Sequence, residues 1–121
     1  MAVHLNHTIV AARDKEESAR FLAEILGLSE PQVGHFAAVD VDNGVSLDYA
    51  NARGDITPQH YAFLIDEDDF DDVFGRIQKR QLQYWADPYQ QQSGEINHRA
   101  GGRGLYFEDP NGHLLEVLTR V

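Results

Sequence analysis

The sequence predicts an α+β fold made of two matching halves, and three observations carry that expectation. Each half opens on a strand-like stretch that contains a histidine, continues into an amphipathic helix pattern, and closes on a hairpin marked by Asn-Gly. In both halves a carboxylate stands five positions after the hairpin Asn, Asp48 after Asn43 and Glu116 after Asn111. The repeat is one of features rather than of letters.

Residues 5–11 form the first strand-like stretch and contain His7. A helix pattern starts at Asp14, with Glu17 three positions on in the spacing of a capping box. Phe21, Leu22, Ile25 and Leu26 supply its apolar stripe, and Gly27 is a natural stop because glycine adopts the left-handed conformation without a Cβ penalty. Residues 36–41 and 45–50 then read as two strands joined by Asp42-Asn43-Gly44.

The second half repeats the order. His60 opens an apolar stretch over 60–65, and an acidic segment over 66–72 leads into a stripe of Phe70, Val73, Phe74 and Ile77. Acids at a helix start favour the positive end of its dipole, so that segment reads as capping and solvation. The spacing and central glycine of a calcium loop are missing. A polar loop over 90–102 precedes strands at 105–108 and 113–118, joined by Asp109-Pro110-Asn111-Gly112.

Composition narrows the chemistry. A chain of 121 residues fits one domain able to bury a core without staples. With no cysteine there are no disulfides, zinc-thiolate sites, iron–sulfur clusters or thiol nucleophiles, which leaves histidine, carboxylate, tyrosine and serine chemistry. The net charge of −10 serves solubility and makes nucleic acid and membrane surfaces poor partners. The first residues lack a basic segment followed by an apolar one, and no apolar run of about 18 residues occurs, so a cytoplasmic location is expected.

Equivalent positions in duplicated halves meet if a pseudo-two-fold axis sets the halves face to face. His7, Asp48, His60 and Glu116 would then converge. Two imidazoles and a carboxylate suit a borderline divalent ion and leave positions open for substrate. Strand alternation puts His60, Ala62 and Leu64 on one face and Tyr61, Phe63 and Ile65 on the other, available to pack under a helix. Any one of these polar side chains taken singly is usually a surface or hydrogen-bonded strand residue, and it is their joint placement that points to a metal. The metal set expected is therefore His7, His60 and Glu116, with Asp48 either a fourth ligand or a group that orients an imidazole or a water.

At these residues the chain resembles the vicinal oxygen chelate superfamily, which includes glyoxalase I, fosfomycin-resistance transferases, bleomycin-binding proteins and extradiol ring-cleavage dioxygenases. The resemblance covers essentially the whole chain. It implies a single domain over 1–121 with one βαβββ module at about 1–53 and a second at about 57–121, their mixed sheets curled around a metal cleft. It also implies a homodimer in which modules are exchanged in several family members. Ile96-Asn97-His98, six residues, Leu105-Tyr106, Asp109-Pro110-Asn111-Gly112 and Glu116 resemble the extradiol signature in order and spacing. By that resemblance His98 would handle the proton of a bound catechol, Tyr106 would hydrogen-bond a substrate oxygen, and Fe(II) would be the metal.

Two departures set the alternatives. The extradiol enzymes generally carry an extra module pair, and a site with Asp48 as fourth ligand would look more like glyoxalase I. A dioxygenase acting on a catechol-like vicinal diol is the preferred expectation. A glyoxalase-like lyase or isomerase, or a thiol transferase using Zn, Ni or Mn, is the second. A metal-free antibiotic-binding protein is the third. Tyr84, Trp85 and Tyr89 are either walls of an apolar pocket or core contacts. Arg103 either steers an anionic group or pairs with Glu108.

Overall fold

A computed structural model of the chain describes residues 2–121, which divide into two compact units at 57/58. Each unit is a mixed four-stranded sheet with one long helix.

In the first unit, β1 (His7–Ala12) leads to α1 (Lys15–Leu26), then β2 (Gln32–Val33), β3 (Ala37–Asp40) and β4 (Ser46–Asn51). The sheet order is β1-β4-β3-β2, with β1 parallel to β4 and the other pairs antiparallel. The parallel pair needs a long crossover, and α1 is part of it. Asp14 caps α1 by accepting from the backbone N–H of Glu16 (3.1 Å) and Glu17 (3.2 Å), and Gly27 ends it at φ 71° with its N–H on Ala23 O. Replacing Asp14 by Ala is expected to cost about 1 kcal/mol in a denaturant titration.

The pleat sorts this sheet into two faces. Val10, Ala12, Ala37, Val39, Leu47 and Tyr49 are buried on the side of α1, which packs Ala19, Leu22, Ala23 and Ile25 into the same core. Phe21 and Leu26 of the expected stripe are half-buried. The other face carries His7, Ile9, Ser46 and Asp48, aligned by the register His7↔Ser46 and Ile9↔Asp48.

The second unit repeats the plan with β5 (His60–Leu64), α2 (Glu67–Lys79), β6 (Tyr84–Trp85), β7 (Gly104–Glu108) and β8 (Leu114–Leu118), in the order β5-β8-β7-β6. Phe70, Val73, Ile77, Leu105, Phe107, Leu115 and Val117 are its core. The acidic start of α2 does more than solvate. Asp66 makes no side-chain cap, whereas Glu67 and Asp71 both bind Arg103, at 2.7 Å to Nε and 2.7 Å to Nη1, and the guanidinium lies 4.4 Å from the centroid of Phe70. Of the two alternatives for Arg103, pairing with Glu108 is therefore corrected: Glu108 instead accepts from Gln90 Nε2.

Glu67 is held below the usual carboxylate range, first by a hydrogen bond from Thr119 and then by Arg103. A depressed folded pKa gives stability that is present above the unfolded value and lost as pH falls through the folded one. Arg103→Ala is thus expected to lower the melting temperature at neutral pH, and the gap to wild type should narrow once Glu67 is protonated.

Both hairpins turn where the sequence places them. Gly44 and Gly112 take φ of 82° and 86°, and Asp109 Oδ1 accepts from the N–H of Asn111 (2.8 Å) and His113 (2.9 Å). The buried His113 accepts the Gln59 N–H at Nδ1 (2.9 Å), which ties the second hairpin to the start of β5. Among the described residues no helix is long and apolar enough to cross a membrane.

Candidate functional site

One face of the second sheet brings three polar groups together, His60, Tyr106 and Glu116. Glu116 in β8 has Tyr106 of β7 directly opposite and Ala62 of β5 on its other flank. Opposed residues sit with Cβ atoms about 5 Å apart and diagonal ones about 7–8 Å apart, so His60, two positions before Ala62, is within reach of Glu116. Its Nε2 lies 3.2 Å from Glu116 Oε1. The His60 and Tyr106 rings stack at 5.9 Å.

The hydrogen bonding of His60 tests whether a metal fits. Its Nδ1 is 2.9 Å from Leu114 O, and a carbonyl only accepts, so Nδ1 carries the proton. In the neutral imidazole Nε2 then holds a lone pair that faces a carboxylate oxygen. Two acceptors at that distance are reconciled by a proton or by a cation between them. A backbone carbonyl that fixes the tautomer of a ligating imidazole is the usual outer support of a metal site, so the donor set fits a divalent ion. Among the described residues no ready-made group of three or more such ligands is assembled.

Glu116 is buried at 9 % exposure, while the His60 side chain keeps 46 %. Tyr106 is buried and hydrogen-bonds Glu116, and its oxygen accepts from Arg99 Nη1 at 2.6 Å. Burial pushes its phenol above the ordinary value; the Arg99 hydrogen bond pulls it down and the Glu116 charge pushes it up.

His7 and Asp48 share a face of the first sheet. His7 Nδ1 is 2.7 Å from Asn6 Oδ1, and Asp48 Oδ1 accepts from Ser46 Oγ at 2.5 Å. His98 is exposed at the head of a short 3-10 turn, Arg99–Gly101. It is the next residue, Arg99, that reaches Tyr106. Of the aromatic trio, only Trp85 shares the site face, paired in register with Tyr106; Tyr84 packs edge-on against Phe74 at 5.1 Å and Tyr89 is 81 % exposed.

Sequence reasoning missed Arg99 and the residue that sets it. Asn97 exchanges both backbone hydrogen bonds with Gly104, donates Nδ2 to Ala86 O (2.8 Å) and accepts the Arg99 N–H (3.3 Å). Gly104 permits that approach, since a Cβ there would meet Val117 O at 3.0 Å and Asn97 Oδ1 at 3.2 Å. Asn97 stands inside the signature segment, but nothing in the spacing marks the arginine beside it.

With this geometry in view, comparison with known proteins defines the class. Residues 4–117 match the model of the Glyoxalase/Bleomycin resistance protein/Dioxygenase superfamily, and the chain belongs to that superfamily. It is similar to the solved structure of Oxidase ChaP-H2, with 68 % identity and a TM-score of 0.96, covering 100 % of this chain and 96 % of that one. It is also similar to Oxidase ChaP-H1, at 57 % identity and a TM-score of 0.97 over 99 % of this chain and 98 % of that one. Among curated proteins it is 31 % identical over 125 residues to Glutathione transferase FosA of Serratia marcescens, covering 97 % of this chain and 81 % of that protein.

Proposed function

We propose that the protein is a metal-dependent oxidase of this superfamily, an extradiol-type dioxygenase that opens the ring of a catechol-like vicinal diol. The observation that carries the reading is the 3.2 Å pairing of His60 Nε2 with Glu116 Oε1 beside a buried tyrosine, together with two oxidase relatives at 68 % and 57 % identity. His60 and Glu116 would hold the ion with His7, which comes from the first module of the same chain or of a second copy. Asp48 would orient His7 or a water rather than bind, because a second carboxylate weakens the ion as a Lewis acid. Fe(II) is the metal that suits the two-histidine, one-carboxylate set, and it would supply chelation of adjacent oxygens and access to dioxygen.

The chain's own groups do the rest. Tyr106 is held by Arg99 so that its O–H points its proton toward the Glu116 side, where a substrate oxygen would sit. His98, at the rim, exchanges the proton of the diol with solvent, a task suited to an imidazole. Trp85 offers a face for a planar ring. The chain works as a homodimer in this reading: the faces that carry His7 and His60 also expose Ile9 and Leu64, at 58 % and 62 %, apolar area that a second copy would cover.

A polarographic assay tests the activity. Fe(II)-loaded protein is expected to consume about one dioxygen per catechol and to produce a ring-opened chromophore; neither event with any catechol would sink the reading. The likeness to Glutathione transferase FosA supports a second reading, thiol addition by a Zn- or Mn-loaded protein, which would proceed without oxygen.

A further inference from the structure

Arg99 differs from Arg103, four positions on. Arg103 is neutralised by two carboxylates, Glu67 and Asp71. Arg99 forms no ion pair among the described residues, although the chain has twice as many acids as bases. Its one side-chain hydrogen bond among the described residues goes to a neutral phenol, Tyr106 Oη, with its guanidinium carbon 5.4 Å from the centre of that ring.

A guanidinium can only donate, and its planar fork matches a carboxylate. Anchoring it on a phenol leaves its charge intact and most of its donors without a protein acceptor, on an exposed side chain. The anchor is built rather than incidental. Asn97 fixes the Arg99 N–H, and the turn that follows holds Ala100 at φ 55°, a left-handed conformation that costs energy in a non-glycine residue. Arg99, Tyr106, Glu116 and His60 thus form one connected row that ends in an unneutralised positive charge.

We infer that Arg99 is the specificity residue of the site, and that the substrate is a planar aromatic diol bearing one ionised acidic group, gripped by the free edge of the Arg99 fork while the diol oxygens face Tyr106 and Glu116. The diol part rests on the dioxygenase reading; the anionic part rests on Arg99 alone. This assigns a substrate charge that the overall acidity of the chain would otherwise disfavour.

Ligand binding to zinc-loaded protein, which holds the ligand without turning it over, tests the inference. Binding is read from the quenching of Trp85, the single tryptophan, and from calorimetry. The probes are 3,4-dihydroxybenzoate, 4-methylcatechol and benzoate, against wild type and Arg99→Gln. Glutamine keeps a donor for Tyr106 while removing the charge, and circular dichroism checks its fold. Wild type is expected to bind 3,4-dihydroxybenzoate about 10–100-fold tighter than 4-methylcatechol, the range of a charge-assisted bidentate bond. In Arg99→Gln that preference should vanish, with 4-methylcatechol unchanged within about 3-fold. Equal affinities in wild type, or equal weakening of both diols in the variant, overturn the role of Arg99 and leave the catechol reading standing. Arg99-dependent binding of benzoate as tight as that of the dihydroxy acid keeps Arg99 and removes the diol. Binding of none of the probes overturns both.

Discussion

Glu116→Ala is expected to lower turnover by more than about 1,000-fold while leaving the protein folded. Losing even an outer partner of a ligand costs about 10–100-fold in metal affinity, and losing a carboxylate that itself binds costs more. Glu116 is also the centre of the row, since His60 Nε2 and the Tyr106 hydroxyl both address it. The fold should tolerate the change. Val117 and Leu115, its neighbours on β8, carry the buried packing on the opposite face, and the His60 side that loses a partner is half-exposed and able to take up water. A melting temperature within a few degrees of wild type, with activity gone, is the outcome that fits; a collapse of secondary structure would instead make Glu116 a structural residue.

Tyr106→Phe is expected to reduce kcat by about 100–10,000-fold, the usual worth of a positioned proton donor, with a much smaller change in KM. Phenylalanine keeps the ring on His60 and fills the same buried volume, so only the oxygen is removed. Its loss also strips Arg99 of its hydrogen bond to the phenol oxygen. Stability should fall by about 1 kcal/mol, the net value of one hydrogen bond. Single-turnover kinetics separate the two roles: an unaltered kcat would mean that the tyrosine merely packs.

Much of this arrangement is legible in the sequence because it depends on local rules. Asn43-Gly44 and Asn111-Gly112 mark hairpins whose glycines do take positive φ. Asp14 and Gly27 bound the first helix because capping and left-handed termination are properties of single residues. His60 and Glu116 stand out by repetition and by strand alternation, and parallel pairing of β5 with β8 then brings them within 3.2 Å.

What is not legible depends on geometry that no periodicity encodes. The strands β2 and β6 are two residues each, too short to show alternation, so the residue pattern alone yields strand, helix and hairpin, and the third strand of each hairpin side enters only through the family resemblance. Arg103, just before β7, finds Glu67 and Asp71 on α2 rather than Glu108 at the far end of β7, because side chains choose partners across the fold. Arg99 reaches Tyr106 from the head of a tight turn whose next residue, Ala100, is at positive φ, a conformation that an alanine does not announce.

Metal content by mass spectrometry on protein purified without oxygen, for wild type, His7→Ala, His60→Ala and Glu116→Ala, tests the central claim most directly. About one iron per chain in wild type, lost in all three variants, is the predicted result. Wild type that holds no metal even after reconstitution would contradict the account and favour a metal-free ligand-binding protein.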